Sequence, residues 1–395
     1  MPGPMNGIRI VDTSVALSGP WAAGILCDQG AEVIKIEPPG IGDIGRWVGP
    51  AIGGVSAMAQ MVNRGKRSIA LDLKSEQGRD IARQLVRGAD VFLQNFRTGV
   101  IDRLGLGYED LVREKQDLVY VSVSGFGPRG PYAGKSAYDP AVQAYAGICS
   151  AQANPEDGVP QLIRHTVADK VSALTACQAI TAALFARDRG TGGQHVEVSM
   201  LEAVVNFVWA DAAGNELLLD SDGSQPSSFS RDQQLWPTKD GWIIAAPVSD
   251  GDVAGICRAV GVDGYDVPEL ATIMARRQHL DQFMALLRRV YDAVSRFTTA
   301  EVMQRLDAEG APCGAVVAPD RLHQDPHVKA LGILEESDHP TAGRLRQPRP
   351  AVRFGKTPAA TGAPAPTAGA HSDEILRELG LGGRIAALRE AGVVA

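Results

Sequence analysis

Through the first half of the chain, short runs rich in Val and Ile alternate with longer stretches of helical spacing. Residues 8–12, 32–37, 69–73, 91–94 and 118–124 are apolar enough to be strands covered on both faces. Between them, residues 21–29 and 76–86 place apolar side chains at three- and four-residue intervals, the period of a helix lying on a sheet. Strands that recur with helical crossovers predict an α/β, Rossmann-like domain with a doubly wound, mostly parallel sheet. A longer helical stretch at 170–186 leads into the basic, glycine-rich segment 187–193, then a strand at 195–199 and a helix from Leu201.

The pattern changes after residue 220. Residues 220–234 are polar, with Pro, Gly and Ser, and read as a linker. Beyond it, 236–248 alternates as a hairpin turning at Asp240-Gly241, a dipeptide suited to the positive φ of a tight turn. Helical patterns at 278–294 and 299–309 follow. The expected organisation is the N-terminal part of a large domain at 1–220, a smaller α+β domain at 225–325, and a return segment at 326–395 that completes the large domain. The return holds a low-complexity linker at 357–370, expected to run extended over a surface, and helices at 373–379 and 384–391.

Composition narrows the function classes. The 395 residues suffice for about two domains. A net charge of −7 leaves no broad basic face for nucleic acid or an anionic membrane, so a polyanionic ligand must meet local cations. The five cysteines are odd in number and dispersed, which fits reduced thiols in the cytoplasm and writes no CxxC metal knuckle. No apolar run reaches transmembrane length, and a strand pattern from Ile8 leaves no room for a signal peptide.

Several short motifs suggest chemistry and fail on context. Residues 40–45, GIGDIG, match the nicotinamide fingerprint after a strand, but Pro38-Pro39 before them and four glycines or prolines at 49–54 oppose the helix that the fingerprint must start. Residues 130–136, GPYAGKS, have three residues between glycines where a phosphate loop has four. His323 and His327 have ligand spacing, but Pro326 lies between them and no third ligand is near, so a loop or helix start is expected. Ser122 and Ser124 lack the preceding glycine of a nucleophile elbow and read as a strand end.

A set of segments, in order and at specific spacing, resembles the family III CoA-transferases, a group that also contains α-methylacyl-CoA racemases. They are 7–12 with Gly19-Pro20, 31–37 with Gly42-Asp43 and Arg46, 63–74 (NRGKRSIALDLK), and 89–107 (ADVFLQNFRTGVIDRLGLG). The set continues with 122–127, Gly130-Pro131, Tyr138-Asp139, Ala168-Asp169, 191–203 (TGGQHVEVSMLEA), 325–327 and the tail 369–394.

The resemblance implies two interlocked copies, a homodimer, with CoA as substrate rather than a metal or nicotinamide cofactor. It places the nucleophile at Asp169 and CoA contacts at Lys74, Asn95, Phe96 and Arg103, with Arg67 a further candidate. A carboxylate suits CoA transfer between an acyl-CoA and a free carboxylic acid, because its anhydride and thioester intermediates both stay activated. The residues alone leave an alternative for Asp169, since Asp at the start of an Ala-rich helix is also an ordinary N-cap. A capped carboxylate is stabilised as the anion and is a poorer nucleophile.

Three departures bear on substrate. Pro38-Pro39 replaces an arginine pair of some members, so Arg46 or Lys135 is expected to take part of the phosphate grip. Leu17 stands where formyl-CoA transferase has a substrate-touching glutamine, and residues 227–234 replace its glycine-rich flap, which argues against oxalate or formate and for a more apolar acid. Tyr138 stands where racemases of the family carry a histidine before Asp, and a tyrosine with a pKa of about 10 is a poor proton carrier at neutral pH. Transfer is therefore expected over racemisation, with a non-catalytic acyl-CoA binder as a third possibility.

Overall fold

The computed structural model describes residues 3–154, 156–223, 228 and 233–395. The chain divides into two compact units, Met1–Arg231 with Gly332–Ala395, and Asp232–Leu331. Most of the sequence-predicted linker 220–234 lies outside the described residues.

The first unit is built on β1 (Arg9–Asp12), β2 (Glu32–Glu37), β3 (Arg67–Ala70), β4 (Val91–Gln94), β5 (Val119–Ser124) and β6 (Gln194–Ser199). All neighbours pair in parallel, in the order β3-β2-β1-β4-β5-β6. This is the doubly wound order, and it reverses between β1 and β4. Alternate side chains of the strands feed two cores. On one face α1 (Ser18–Asp28), α8 (Val167–Ala186) and α9 (Met200–Ala212) cover Ile10, Leu93, Val121 and Val198. On the other, α3 (Glu76–Arg87), α5 (Tyr108–Glu114) and the tail residues Ile375, Leu388 and Val394 cover Val11, Phe92 and Tyr120. The buried side of α8 is mostly alanine (Ala168, Ala173, Ala176, Ala183), which lets it approach Ala22 and Ala23 of α1.

The remaining helices used below are α2 (Ala57–Asn63), α4 (Val100–Arg103), α6 (Asp139–Tyr145) and α7 (Ile148–Ala151). The third strand ends before the predicted 69–73 run does, because Leu71 and Asp72 pair with the distant tail at Val394 and Val393. Residues 357–370 run without helix or strand along the first unit. The Gly65 N–H donates to the Ala363 carbonyl at 2.7 Å, the Ala365 N–H to Gln60 at 2.9 Å, and Arg46 to the Pro366 carbonyl at 2.9 Å. A hairpin of Leu334–His339 with Gly343–Pro348 precedes this segment and had no signal in the sequence reading.

The second unit has a three-stranded sheet in which Trp242–Ala245 pairs antiparallel with Trp236–Pro237 and Cys313–Ala315. Helices Asp250–Val260, Leu280–Val294 and Thr299–Ala308 pack on it. The hairpin turns at Asp240-Gly241 as expected, but not for the expected reason, since Gly241 is not among the residues of positive φ. Its missing Cβ gives room to Thr299, whose hydroxyl would lie 3.0 Å from that atom and whose N–H donates to Asp240 at 2.7 Å. His323 and His327 flank Asp325, which caps the helix Pro326–Ala330.

Candidate active site

In a parallel sheet every carboxyl end lies along one edge, and the loops diverge where the strand order reverses. Here the diverging loops follow β1 and β4, residues 13–17 and 95–99. Asn95 ties them together. Its amide accepts the Val15 N–H and donates to the Val15 carbonyl, both at 2.8 Å. The loop of residues 95–99 is tied onward to the segment after β5, through Arg97 to the Ser136 hydroxyl at 2.6 Å and Thr98 to the Ala133 carbonyl at 3.1 Å.

These loops and the first turn of α8 enclose a cavity of about 120 Å³. Asp169, Ser18, Asn95, Phe96, Arg97 and Lys135 contribute to its wall. Pockets for whole drug-sized ligands run to roughly 300–1,000 Å³, so this space fits the reacting end of a substrate. Lys135 sits 4.7 and 4.6 Å from the ring centres of Tyr132 and Tyr145 and donates to the Tyr145 hydroxyl. Its ammonium and the Arg97 guanidinium give one side of the cavity positive charge.

Asp169 is the third residue of α8 and not its N-cap, which is Thr166, whose side chain makes no capping bond. The capping carboxylate comes from Asp139 at the start of α6, which accepts the Asp169 N–H at 2.9 Å while buried to 3% exposure. The Asp169 carboxylate is left in the cavity wall beside Ser18 at the start of α1, whose hydroxyl and N–H favour its ionised form. Burial first, and then the charge of Asp139, push its pKa up to about 6 against the lowering effect of Ser18. The N-cap alternative is thereby corrected, and with it the conflict between capping and nucleophilicity.

The expected CoA residues divide. Asn95 and Phe96 lie in the cavity wall with Asp169. Lys74 is exposed in the turn after β3 and Arg103 at the end of α4, each beyond the carboxyl end of its strand, β3 or β4. Three strand spacings separate those ends, roughly 14 Å, a span an extended nucleotide covers. Arg67 is removed from the set, because Glu32, Glu374 and Glu378 hold its guanidinium at 2.6, 2.6 and 2.5 Å. Arg46 is removed too, since Glu37 binds it at 2.7 and 2.6 Å in the interior. Lys135 alone of the two suggested replacements faces the cavity.

Leu17 is buried and absent from the wall, so the inference of an apolar acid from that residue fails. Apolar surface is supplied instead by Val15, Phe96, Val123 and Met200. Tyr138 is exposed at the cavity rim, and no histidine lies among the described wall residues. Ser122 stands within β5, bonded to Gln94 and His195 at 2.9 Å each, and not on an elbow. GIGDIG starts no α-helix. A four-residue 3₁₀ turn, Ile44–Trp47, follows Asp43, which rules out the fingerprint's geometry. Among the described residues no three of His, Cys, Asp or Glu cluster as metal ligands, and no helix is long and apolar enough to cross a membrane.

Sequence reasoning missed Ser18, Arg97 and Asp139 as members of the site. Asp139 had a signal, an acid directly before Pro140 at a helix start, yet its partner thirty residues on was invisible without the fold.

The sequence model of CoA-transferase family III matches residues 5–372. The chain is 32% identical over 393 residues to a succinate–glutarate CoA-transferase of Agrobacterium fabrum, covering 95% of this chain and 96% of that one. It is 34% identical over 345 residues to an acetyl-CoA:oxalate CoA-transferase of Acetobacter aceti, covering 85% and 86%. A solved structure, a CAIB/BAIF family protein from Brucella suis, superposes with a TM-score of 0.81 at 30% identity, over 96% of this chain and 100% of that one.

Proposed function

The chain belongs to CoA-transferase family III, and from that premise we propose that Asp169 carries the acyl group and then CoA. A carboxylate oxygen of Asp169 attacks the thioester carbon of an acyl-CoA; the carbon–sulfur bond breaks and CoA thiolate leaves a mixed anhydride. The thiolate then attacks Cγ of Asp169, the donor acid departs, and an enzyme–CoA thioester remains. An acceptor carboxylate reverses both steps, with no net proton and no ATP.

The observation that carries this reading is the pairing of Asp169 with Ser18 and Asp139. Ser18 stands beside the carboxylate in the cavity wall, while burial and Asp139 keep it more basic than an ordinary aspartate. Phe96 and Asn95 border the path of the thiol arm, and Lys74 and Arg103 are proposed to meet the phosphates. The acceptor we put forward is a short dicarboxylate, its far carboxylate facing Lys135 and Arg97 across apolar walls. The similarity to a succinate–glutarate enzyme supports that choice. A panel of acyl-CoA donors and free acids, with new thioesters detected by mass, tests the reading. Turnover with succinate or glutarate and little with propionate is expected; CoA binding without turnover on the whole panel would leave only a binder.

Racemisation would need a second proton carrier opposite Asp169, and the wall offers Tyr138. A 2-methylacyl-CoA in deuterium oxide is therefore expected to gain no deuterium at C2.

The assembly in this reading is an interlocked homodimer working in the cytoplasm. Exposed Phe185, Phe207, Trp209, Leu217, Leu218 and Leu219 on the first unit support pairing. Light scattering should give twice 41.7 kDa even on dilution; a species of 41.7 kDa at micromolar concentration would contradict it.

A further inference from the structure

The GIGDIG stretch lacks the helix of a dinucleotide fingerprint, yet it holds a buried carboxylate for which the transfer reaction has no evident use. Asp43 is 1% exposed. Its Oδ1 accepts the Ala16 N–H at 2.8 Å and the Gly45 N–H at 2.9 Å, and its other oxygen lies 3.0 Å from the Lys35 ammonium. Lys35 in turn donates to the Ser14 carbonyl at 2.5 Å, and Asn95 grips Val15 at both its N–H and its carbonyl. Three successive residues, 14 to 16, are thus held by side chains from β2, from the GIGDIG loop and from the loop after β4.

Ala16 explains why so much is brought to bear on one turn. Its φ is +64°, the left-handed region, and it is the one residue other than glycine with positive φ among those described. An alanine there relaxes toward negative φ unless its surroundings forbid it. Two residues on stands Ser18, which lines the same cavity wall as Asp169 and lowers its pKa. Gly45 completes the arrangement. A Cβ at that position would lie 3.0 Å from the Ala16 carbonyl oxygen, so glycine is what allows the turn to approach.

We propose that Asp43 is a positioning residue for the reaction at Asp169: by holding the Ala16 N–H it fixes the left-handed turn that aims Ser18 at the nucleophile. The claim deepens the transfer reading and rests on it for its kinetic arm. The charged and titratable groups around Asp169 are Asp139 on α6 and, in the cavity wall, Arg97, Lys135 and Tyr138, and none of them is altered by changing Asp43.

The test combines kinetics with the pH midpoint at which Asp169 reacts with a water-soluble carbodiimide, read by peptide mass and independent of turnover. Asp43→Ala should lower kcat by on the order of a hundredfold, as expected for a misplaced reacting group. Acyl-CoA affinity should stay within about threefold, because the nucleotide contacts lie elsewhere. The Asp169 midpoint should rise as Ser18 swings away. Asp43→Asn keeps an oxygen for the Ala16 N–H and should stay within roughly tenfold of wild type. Adding Ala16→Gly to Asp43→Ala should recover about tenfold in kcat and lower the midpoint again, since glycine takes positive φ without strain. If Asp43→Ala does not fold, Gly45→Ala, which presses on the Ala16 carbonyl from outside the cavity, should lower kcat and raise the midpoint in the same way.

Wild-type kcat and midpoint in Asp43→Ala or Gly45→Ala would overturn the proposal, as would a double variant no better than Asp43→Ala. Absence of transfer in the wild-type protein would refute the transfer reading instead, and the carbodiimide midpoints would still decide the role of Asp43.

Discussion

The Asp139 carboxylate accepts the backbone N–H of Asp169 at 2.9 Å, so one acid caps the helix on whose first turn the other stands. Asp139 also accepts from Gln143 at 2.5 Å, and Gln143 accepts the Ile163 N–H, which fixes the acid within the interior. Asp169 instead faces the cavity, beside Ser18 of α1. The two carboxylates are therefore neighbours with different duties, and the charge of the buried one resists ionisation of the other.

A pH dependence follows. In the proposed mechanism Asp169 attacks as the anion, and its pKa is raised to about 6 by burial and then by Asp139. The acid limb of kcat/KM is expected near pH 6, with activity rising to a plateau above it. Asp139→Asn removes the repelling charge and should move the limb down by about one unit. A limb unchanged in that variant would show that Asp139 does not set the basicity of the nucleophile.

The same shift acts on stability, with the opposite benefit. Asp169 titrates near 3.8 when unfolded and about 6 when folded, so between those values the folded state holds more proton and stability falls as pH rises. Above pH 6 the full cost is about 3 kcal/mol. Asp169→Asn lifts it. The variant should be inactive yet melt a few degrees higher than wild type at neutral pH, with the difference vanishing below about pH 4. Melting curves across that range check the sign, and a variant less stable at pH 7 would contradict it.

Lys74 and Arg103 are exposed and should act on the nucleotide alone. Replacing either by alanine is expected to raise KM for acyl-CoA by roughly tenfold with kcat unchanged, and the loss should shrink at high salt as screening weakens the wild-type contact. Equal loss in kcat would place these residues nearer the chemistry than β3 and β4 allow.

Much of the first unit was legible because its strands are buried on both faces and spell themselves as Val/Ile runs, as at 91–94 and 119–124. Asp169, Asn95 and Phe96 were legible through resemblance, and the fold brought them to one cavity. Arg46 and Arg67 misled because a cation in a basic stretch looks the same whether it meets phosphate or a glutamate from elsewhere in the chain; Glu37 lies nine residues from Arg46, but Glu374 lies 307 from Arg67. Leu17 misled because its side chain turns into the interior, while Val15, Ala16 and Ser18 on either side of it line the cavity. The start of α8 was placed three residues late, since its cap comes from Asp139 and not from the local sequence.

The central claim is the covalent role of Asp169, and hydroxylamine trapping meets it most directly. Wild-type protein is incubated with a succinyl-CoA donor, quenched with hydroxylamine, digested and mapped by mass. The account predicts a hydroxamate on the peptide at Asp169, dependent on acyl-CoA and absent from Asp169→Asn. A donor that is turned over while Asp169 stays unmodified, or a hydroxamate on a different carboxylate, would contradict it.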